Sequence, residues 1–198
     1  MLPMRLLSGS LALFLGLSVL STPVAANSPA TPQPEECTVA PIAIDGLQAL
    51  VLSGTPVAAT PSRADAAVIA PDVAAGVTAT IRQSIACTNA NQPLRALALF
   101  TNAYLIARFS GAGADDLGYL TAAVTRDPAP ATAADRLRLV SMGDLEPLSD
   151  GRVSVVVTTA NVADSFTDTL TFAKTGVVWL IDETHTATPP RATPAVQG

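Results

Sequence analysis

The sequence contains few of the residues that most often carry catalysis. Its 198 residues include one histidine, two cysteines and one tryptophan, and aromatic residues make up only 4% of the chain. No GxSxG elbow, phosphate-binding loop, GxGxxG fingerprint or HExxH pair occurs. Nothing therefore supports the common nucleophilic, nucleotide-dependent or zinc-dependent enzymes. We expect neither a cofactor nor a metal ion.

Positive charge is also scarce. Eleven lysines and arginines stand against 16 aspartates and glutamates, which gives a formal net charge of −5. Nucleic acids and anionic lipids select basic surfaces. We therefore expect no nucleic-acid partner, and we interpret the acidic balance as a contribution to solubility.

The first 26 residues have the order of a secretory signal peptide. Arg5 supplies a positive start, residues 11–20 are almost wholly apolar, and Val24-Ala25-Ala26 provides small residues before Asn27. The apolar run is about half of the roughly 20 residues that a spanning helix needs. The sequence thus predicts export, cleavage before Asn27 and no stable membrane insertion afterwards. A retained N-terminal anchor is the alternative.

Proline-rich stretches divide the rest of the chain. NSPATPQPEE and TATPPRATPAVQG combine proline with serine and threonine, and such segments bury too little apolar surface to fold. After cleavage roughly 170 residues remain, a length that favours one domain. The predicted organisation is a signal peptide at 1–26, a flexible linker at 27–36, an extended arm at 37–71, a folded domain at 72–186 and a disordered tail at 187–198.

The two cysteines predict one disulfide bond. Cys37 and Cys87 form an even pair in a chain with an export signal, and two cysteines allow a single pairing. A redox or metal-binding role would require a CxxC spacing or a histidine cluster, and the sequence has neither. The bond would tie the arm to the first helix.

The first half of the domain has the periodicity of a helix. Val77, Ile81 and Ile85 recur at four-residue spacing, which is typical of the apolar face of a helix. Asp72 precedes this segment and is the expected N-cap.

Further helical segments follow. Pro93 suits the first turn of a second helix, and residues 102–109 fit either a helix or a strand. A third helix is expected at 115–124, where Asp115 and Asp116 lie in the first turn. We interpret these two acids as capping residues, because the helix dipole favours negative charge there.

The second half of the domain predicts an antiparallel sheet. Four runs rich in Val, Thr, Ile and aromatic residues follow one another, separated by turn residues. They are LRLVSMGDLEPL, RVSVVVTTA, SFTDTLTFAK and GVVWLIDE. Helices followed by about four to five antiparallel strands make an α+β fold.

Alternation within these runs predicts two different faces. In the third run Phe166, Leu170 and Phe172 alternate with threonines. One face of the sheet should therefore be apolar and the other should carry hydroxyl groups.

The order of elements resembles the nuclear transport factor 2-like superfamily, which includes SnoaL-like polyketide cyclases and ketosteroid isomerases and shares a cystatin-like α+β plan. The likeness covers about residues 72–184 and is carried by IACTNANQPLRALALFTNAYL and GxxWLIDE. It implies a curved sheet that helices wrap into a cone with a mostly apolar pocket. Members are enzymes, carriers or dimerisation modules, so the resemblance leaves the function open.

The favoured function is non-catalytic binding. A secreted domain would bind an apolar small molecule or a protein partner through the cone or the open sheet face, with the oligomeric state left open. Apolar walls with a few polar groups are typical of small-ligand sites. The expected ligand contacts are Trp179, Phe166, Leu170 and Phe172.

The alternative is a small lyase or isomerase that works by acid–base chemistry without a cofactor. Such an enzyme needs a carboxylate inside an apolar pocket and a group that orients a carbonyl. The candidates are Asp182, Asp168, Tyr104 and Tyr119. His185, the only histidine, follows two acids near the proline-rich tail, and we interpret it as an ordinary surface residue.

Overall fold

Helices occupy the first part of the fold and strands the second. A computed structural model describes residues 31–55, 62, 68–110, 113–124 and 127–186. The predicted signal peptide, the predicted tail and part of the predicted linker lie outside these residues. Within the described part of the chain, no helix combines the length and the apolar character needed to cross a membrane.

The element order confirms the α+β class. In the described part of the chain a short 3-10 turn at Pro34–Glu36 precedes five helices, which are α1 (Ile44–Ser53), α2 (Pro71–Asn89), α3 (Pro93–Leu97), α4 (Asn102–Phe109) and α5 (Ala114–Ala123). The strands are β1 (Arg138–Met142), β2 (Glu146–Pro147), β3 (Val153–Ala160), β4 (Ser165–Thr175) and β5 (Val178–Thr186). All strand pairs are antiparallel.

The strands form one open sheet in the order β1-β3-β4-β5, and β2 also pairs with β3. Gly176 has a φ of 62° in the tight turn between β4 and β5, a conformation that glycine adopts without steric cost. The free edge of β5 is partly covered, because Phe100 pairs with Ile181 in a parallel bridge. Two backbone hydrogen bonds of 2.8 and 2.9 Å hold this bridge.

The main core lies between α2 and one face of the sheet. Val77, Ile81 and Ile85 of α2 are buried against the sheet, as their spacing predicts. The sheet contributes the inward-facing valines of β3 and the fully buried Phe172 of β4. Residues that alternate along β3 are buried and partly exposed in turn, which is the pattern of a sheet covered on one face.

The closest approach of α2 to the sheet occurs at Gly76. A Cβ atom at this position would lie 2.7 Å from Cδ1 of the Trp179 indole, so a side chain here would force the helix away. One turn later Thr80 donates a 2.6 Å hydrogen bond to the backbone carbonyl of Trp179. These contacts fix the N-terminal half of α2 directly on β5.

The segment 37–71 is not extended throughout, because it contains α1. Pro41 and Gly46 suggested that no helix forms here, but Pro41 precedes the helix and Gly46 lies exposed within its first turn. Leu47 is fully buried with Leu105 and Phe109 in a second apolar cluster that joins α1 to α4. Packing against α4 therefore stabilises α1 although the local sequence favours a helix only weakly.

The start of α2 differs from the sequence-based expectation, and the structure decides between the two alternatives for residues 102–109. The N-cap of α2 is Ala70, with Pro71 in the first helical position, and Asp72 lies inside the first turn instead of capping it. The segment 102–109, which fitted a helix or a strand, is α4. Its N-cap is Thr101, whose hydroxyl oxygen accepts a 3.1 Å hydrogen bond from the backbone N–H of Tyr104.

The predicted disulfide bond between Cys37 and Cys87 is present. It links the segment that follows the 3-10 turn to the buried side of α2, where Cys87 has no exposed surface. Glu36 strengthens the same junction through a 2.9 Å ion pair with Arg82. The N-terminal segment is thus held on α2 by one covalent bond and by polar contacts.

Replacement of both cysteines by alanine should lower the free energy of unfolding by about 4 kcal/mol. The bond spans 50 residues, and this figure is the loop-closure entropy expected for such a loop. Alanine avoids leaving an unpaired hydroxyl group in the buried position of Cys87. Urea denaturation with and without a reductant checks the prediction, since the reductant should destabilise the wild type and leave the variant unchanged. A variant as stable as the oxidised wild type would refute it.

Candidate functional site

A cavity of about 160 Å³ lies between the C-terminal half of α2 and the sheet. Its walls are mostly apolar and include Ile81 and Ile85 of α2, Leu170 of β4, Ile181 of β5 and the side chain of Phe100. An engineered protein cavity of about 150 Å³ with similar walls holds benzene. The space therefore suits a molecule about one aromatic ring in size.

The position of the cavity follows from the way α2 meets the sheet. The helix touches β5 at Gly76 and Thr80, whereas the residues of α2 that line the cavity begin at Ile81 and continue to Thr88. The opposite wall is formed where Val157 of β3 faces Asp168 of β4. Helix and sheet are thus in close contact at one end and leave a space at the other.

Few polar side chains line the cavity, and only one of them is charged. Four carry hydroxyl groups and the fifth is the half-buried Asp168; the hydroxyl residues are Ser84, Thr88, Thr159 and Thr184. The hydroxyl of Thr88 donates a 2.9 Å hydrogen bond to the carbonyl of Ser84. The hydroxyl of Thr184 lies 3.3 Å from the phenol oxygen of Tyr104. Within the described residues, no cluster of three His, Cys, Asp or Glu side chains could hold a metal ion.

Two larger clefts in the described part of the chain are weaker candidates. One, of about 460 Å³, runs among α2, α3, α4 and α5 and shares Thr88 and Phe100 with the cavity. Its charged groups, Arg108 and Asp116, already pair with each other at 2.5 Å. The other, of about 320 Å³, is bordered by Val124 and Asp127 and so adjoins residues outside the described part. The small cavity is distinguished by a carboxylate in an apolar wall.

A separate charged cluster surrounds Arg152, directly before β3. The Nη1 atom of its guanidinium donates to Asp182 at 2.5 Å and to Glu183 at 2.7 Å, and the Nε atom donates to Asp150 at 2.7 Å. Asp182 also accepts a 2.6 Å hydrogen bond from the hydroxyl of Thr101. The side chain of Arg152 is 10% exposed, and its Nη2 atom is buried without a partner among the described residues.

A β-bulge explains why two consecutive acids reach the same arginine. Thr171 pairs with Glu183 and Phe172 pairs with Ile181, so Asp182 is an extra residue without a partner on β4. Side chains of consecutive residues in a regular strand point to opposite faces, whereas a bulge redirects them. The bulge thus directs both carboxylates towards Arg152.

The charges of this cluster shift the pKa values of two groups. Burial by itself would lower the pKa of Arg152, but its hydrogen bonds to Glu183, Asp182 and Asp150 raise that pKa above the ordinary arginine value. Burial opposes ionisation of Asp150 as well. Hydrogen bonds from the backbone and the guanidinium of Arg152, together with its charge, outweigh that effect and lower the pKa of Asp150. Arg152 and Asp150 are therefore both ionised at neutral pH.

The structure does not bring the four candidate catalytic residues together. Asp168 lines the cavity, and Tyr104 reaches it through Thr184. Asp182 belongs to the Arg152 cluster instead. Tyr119 is 76% exposed on α5. Only Asp168 and Tyr104 are thus placed near a common space.

The four expected ligand contacts also occupy different environments. Leu170 lines the cavity, whereas Phe172 and Trp179 are buried in the core between α2 and the sheet. Phe166 lies near the start of β4 and is 43% exposed. The indole of Trp179 faces Gly76, so its fluorescence reports on the core and not directly on the cavity.

The residues that organise the Arg152 cluster have weak sequence signals. Arg152 follows a turn, Asp150-Gly151, and precedes a run of valines, which is where a solvated charge is also common. Thr101 ends the segment in which Pro93 was expected to begin a second helix. Phe100, which lines the cavity, is likewise one of several apolar residues in ALALFT, and the sequence does not distinguish it from them. Two of the three acids that bind Arg152 lie on β5, about 30 residues later in the chain. The local sequence around Arg152 does not indicate these contacts.

Substitution of Arg152 by leucine should lower the free energy of unfolding by about 3 kcal/mol, because removing one member of a buried ionic cluster leaves the other charges uncompensated. The matched control is Arg108→Leu, whose pair with Asp116 is about half exposed and should contribute less than about 1 kcal/mol. Urea denaturation of both variants at neutral pH measures the difference. Equal losses in the two variants would contradict a special role for the buried cluster.

The lowered pKa of Asp150 should appear as acid sensitivity. A carboxylate with a lowered folded-state pKa stabilises the fold fully above the ordinary aspartate value of about 4, and this contribution is lost as the pH falls through the folded-state pKa. We expect the free energy of unfolding to decrease below about pH 4 and to do so less steeply in Asp150→Asn. Asp164→Asn, in the exposed turn between β3 and β4, is the control. Identical pH profiles for the wild type and Asp150→Asn would show the prediction to be wrong.

Comparisons with known proteins do not indicate a function for this chain. Searches against protein-family models, curated proteins and solved structures each gave no match. The cavity between α2 and the sheet is therefore the basis for the function proposed below.

Proposed function

We propose that this domain binds a small apolar molecule in the cavity between α2 and the sheet. The observation that carries the proposal is a mostly apolar, partly open cavity of about 160 Å³ between α2 and the sheet. Protein interiors are close-packed, and voids larger than a water molecule are few. Ligand sites combine apolar walls with a small number of polar groups, which is the composition of this cavity.

The size of the cavity limits the class of ligand. A molecule with one six-membered ring and a short substituent fills it, whereas a steroid or a long acyl chain would not fit without movement of the walls. For such small ligands we expect dissociation constants on the order of 1 mM, equivalent to about 4 kcal/mol of binding free energy.

We also propose that the domain acts outside the cytoplasm and has the nuclear transport factor 2-like fold. The predicted signal peptide and the Cys37–Cys87 bond support export, because disulfides persist in oxidising compartments. Helices followed by an antiparallel sheet, with α2 against one face and a cavity beneath it, are what a cone of this family requires.

A second candidate function is acid–base catalysis, which Asp168 favours because its carboxylate lines the apolar cavity. In an isomerisation of a β,γ-unsaturated cyclic ketone, Asp168 would remove the α-proton and return it to the γ-carbon. The hydroxyl of Thr184, which contacts Tyr104, would donate a hydrogen bond to the enolate oxygen. Growth of conjugated-enone absorbance with 3-cyclohexen-1-one, lost in Asp168→Asn, would favour this function over simple binding.

Filling the cavity should abolish binding. Val157→Phe places a ring in the space, since Val157 lines the cavity, while Val156→Phe adds the same ring on the exposed face of the same strand. With toluene and benzyl alcohol as probes, we expect methyl resonances of Ile81 and Ile181 to shift in the wild type and in Val156→Phe but not in Val157→Phe. Circular dichroism and melting temperatures establish that both variants are folded. If neither probe shifts the methyl resonances of the wild type, the proposed function is refuted.

A further inference from the structure

We propose that the ligand of this cavity carries a positively charged amino group that faces Asp168. The inference rests on the proposed function and specifies the chemistry of its ligand. It begins from the position of Asp168, near the middle of β4, where it is paired across the sheet with Val157 on β3 and Thr186 on β5. The carboxylate is half-buried and shares the cavity wall with Leu170.

Asp168 differs from the other partly buried acids in having no partner in the described part of the chain. Asp150, Asp182 and Glu183 share the guanidinium of Arg152. The carboxylate of Asp168 makes no hydrogen bond or ion pair with any described residue, and no lysine, arginine or histidine is among the residues that line the cavity. A carboxylate on an apolar wall without a cationic partner is free to accept charge-assisted hydrogen bonds, and a ligand that supplies a cation would make them.

The remaining polar groups of the cavity do not supply a second charge. They are hydroxyl groups, and those of Thr88 and Thr184 are already engaged with Ser84 and Tyr104. The wall therefore has a single negative centre in apolar surroundings. Such a site repels anions, and it favours an ammonium group, which donates hydrogen bonds and carries the opposite charge.

Phe100 adds a second feature that suits a cation. Its side chain lines the same cavity and stacks on Tyr104 with ring centroids 4.5 Å apart. The faces of aromatic rings attract ammonium groups. The geometry thus points to a small aromatic or cyclic molecule with an aminomethyl-type substituent, whose ring occupies the apolar part and whose amino group lies at Asp168.

A matched series of one-ring compounds tests the inference. Benzylamine, benzyl alcohol and benzoate share a ring and differ in charge, and their binding is measured by titration of methyl resonances at neutral pH. We expect benzylamine to bind about tenfold more tightly than benzyl alcohol, because both donate a hydrogen bond to the carboxylate but only the ammonium group adds the opposite charge. Benzoate should not bind, and added salt should weaken only the benzylamine interaction.

Asp168→Asn isolates the contribution of the carboxylate, because it keeps the shape of the side chain and removes its charge. In this variant benzylamine should lose its advantage over benzyl alcohol, whereas benzyl alcohol should still bind, only a few-fold more weakly than to the wild type. Asp164→Asn changes the net charge by the same amount at an exposed turn and should preserve the preference. Melting temperatures of both variants establish that the fold is retained.

The outcomes separate this inference from the proposed function. If benzyl alcohol binds but benzylamine binds no more tightly, or if the preference survives Asp168→Asn, the amino-group inference is overturned and the apolar cavity remains a binding site. If no member of the series binds to the wild type, both proposals fail. A preference for benzylamine that Asp168→Asn removes and Asp164→Asn keeps supports both.

Discussion

The contact between α2 and β5 at Gly76 is the constraint on which the arrangement of this domain depends. Because no side chain separates the helix backbone from the indole of Trp179, the N-terminal half of α2 lies directly on the sheet. The hydrogen bond from Thr80 to the carbonyl of Trp179 fixes the helix along β5. Beyond this contact a space remains beside Ile81 and Ile85, between the C-terminal half of α2 and the sheet, and this space is the cavity. The site is thus a consequence of how the core packs.

Two groups of partly buried carboxylates lie beside this core, and they differ in whether the protein supplies a cationic partner. Around Arg152 three carboxylates share one guanidinium, and the bulge at Asp182 is what allows two neighbours in sequence to do so. At Asp168 the sheet is regular on both sides and the carboxylate has no cation among the described residues. In the first arrangement each carboxylate has a cationic partner within the protein. The second leaves a carboxylate on the cavity wall without a cation, and the proposed ligand would supply the complementary charge.

Patterns in the sequence that depend on near neighbours predicted the structure well. The stripe of Val77, Ile81 and Ile85 predicted α2, and the alternation of valines and threonines predicted the strands. The disulfide bond was predictable because two cysteines allow only one pairing. Features that depend on distant partners were not accessible in this way. Asp182, in the last strand, was a candidate for a carboxylate in the pocket, but the bulge directs it towards Arg152. The helix α1 forms because α4 covers it, and the cavity depends on the angle between helix and sheet, which no single segment encodes.

The double role of Thr101 has a consequence for the range of sequences that this fold accepts. Its hydroxyl oxygen accepts a hydrogen bond from the N–H of Tyr104 at the start of α4, and the same hydroxyl donates its proton to Asp182. Aspartate and asparagine are equally good or better helix caps in general. An aspartate here has no proton to give and would add a fourth negative charge to the cluster, while an asparagine that caps through its oxygen must turn its amide to reach Asp182. Only serine preserves both bonds with the same geometry, so this cap position should vary between two amino acids among proteins that keep the bulge.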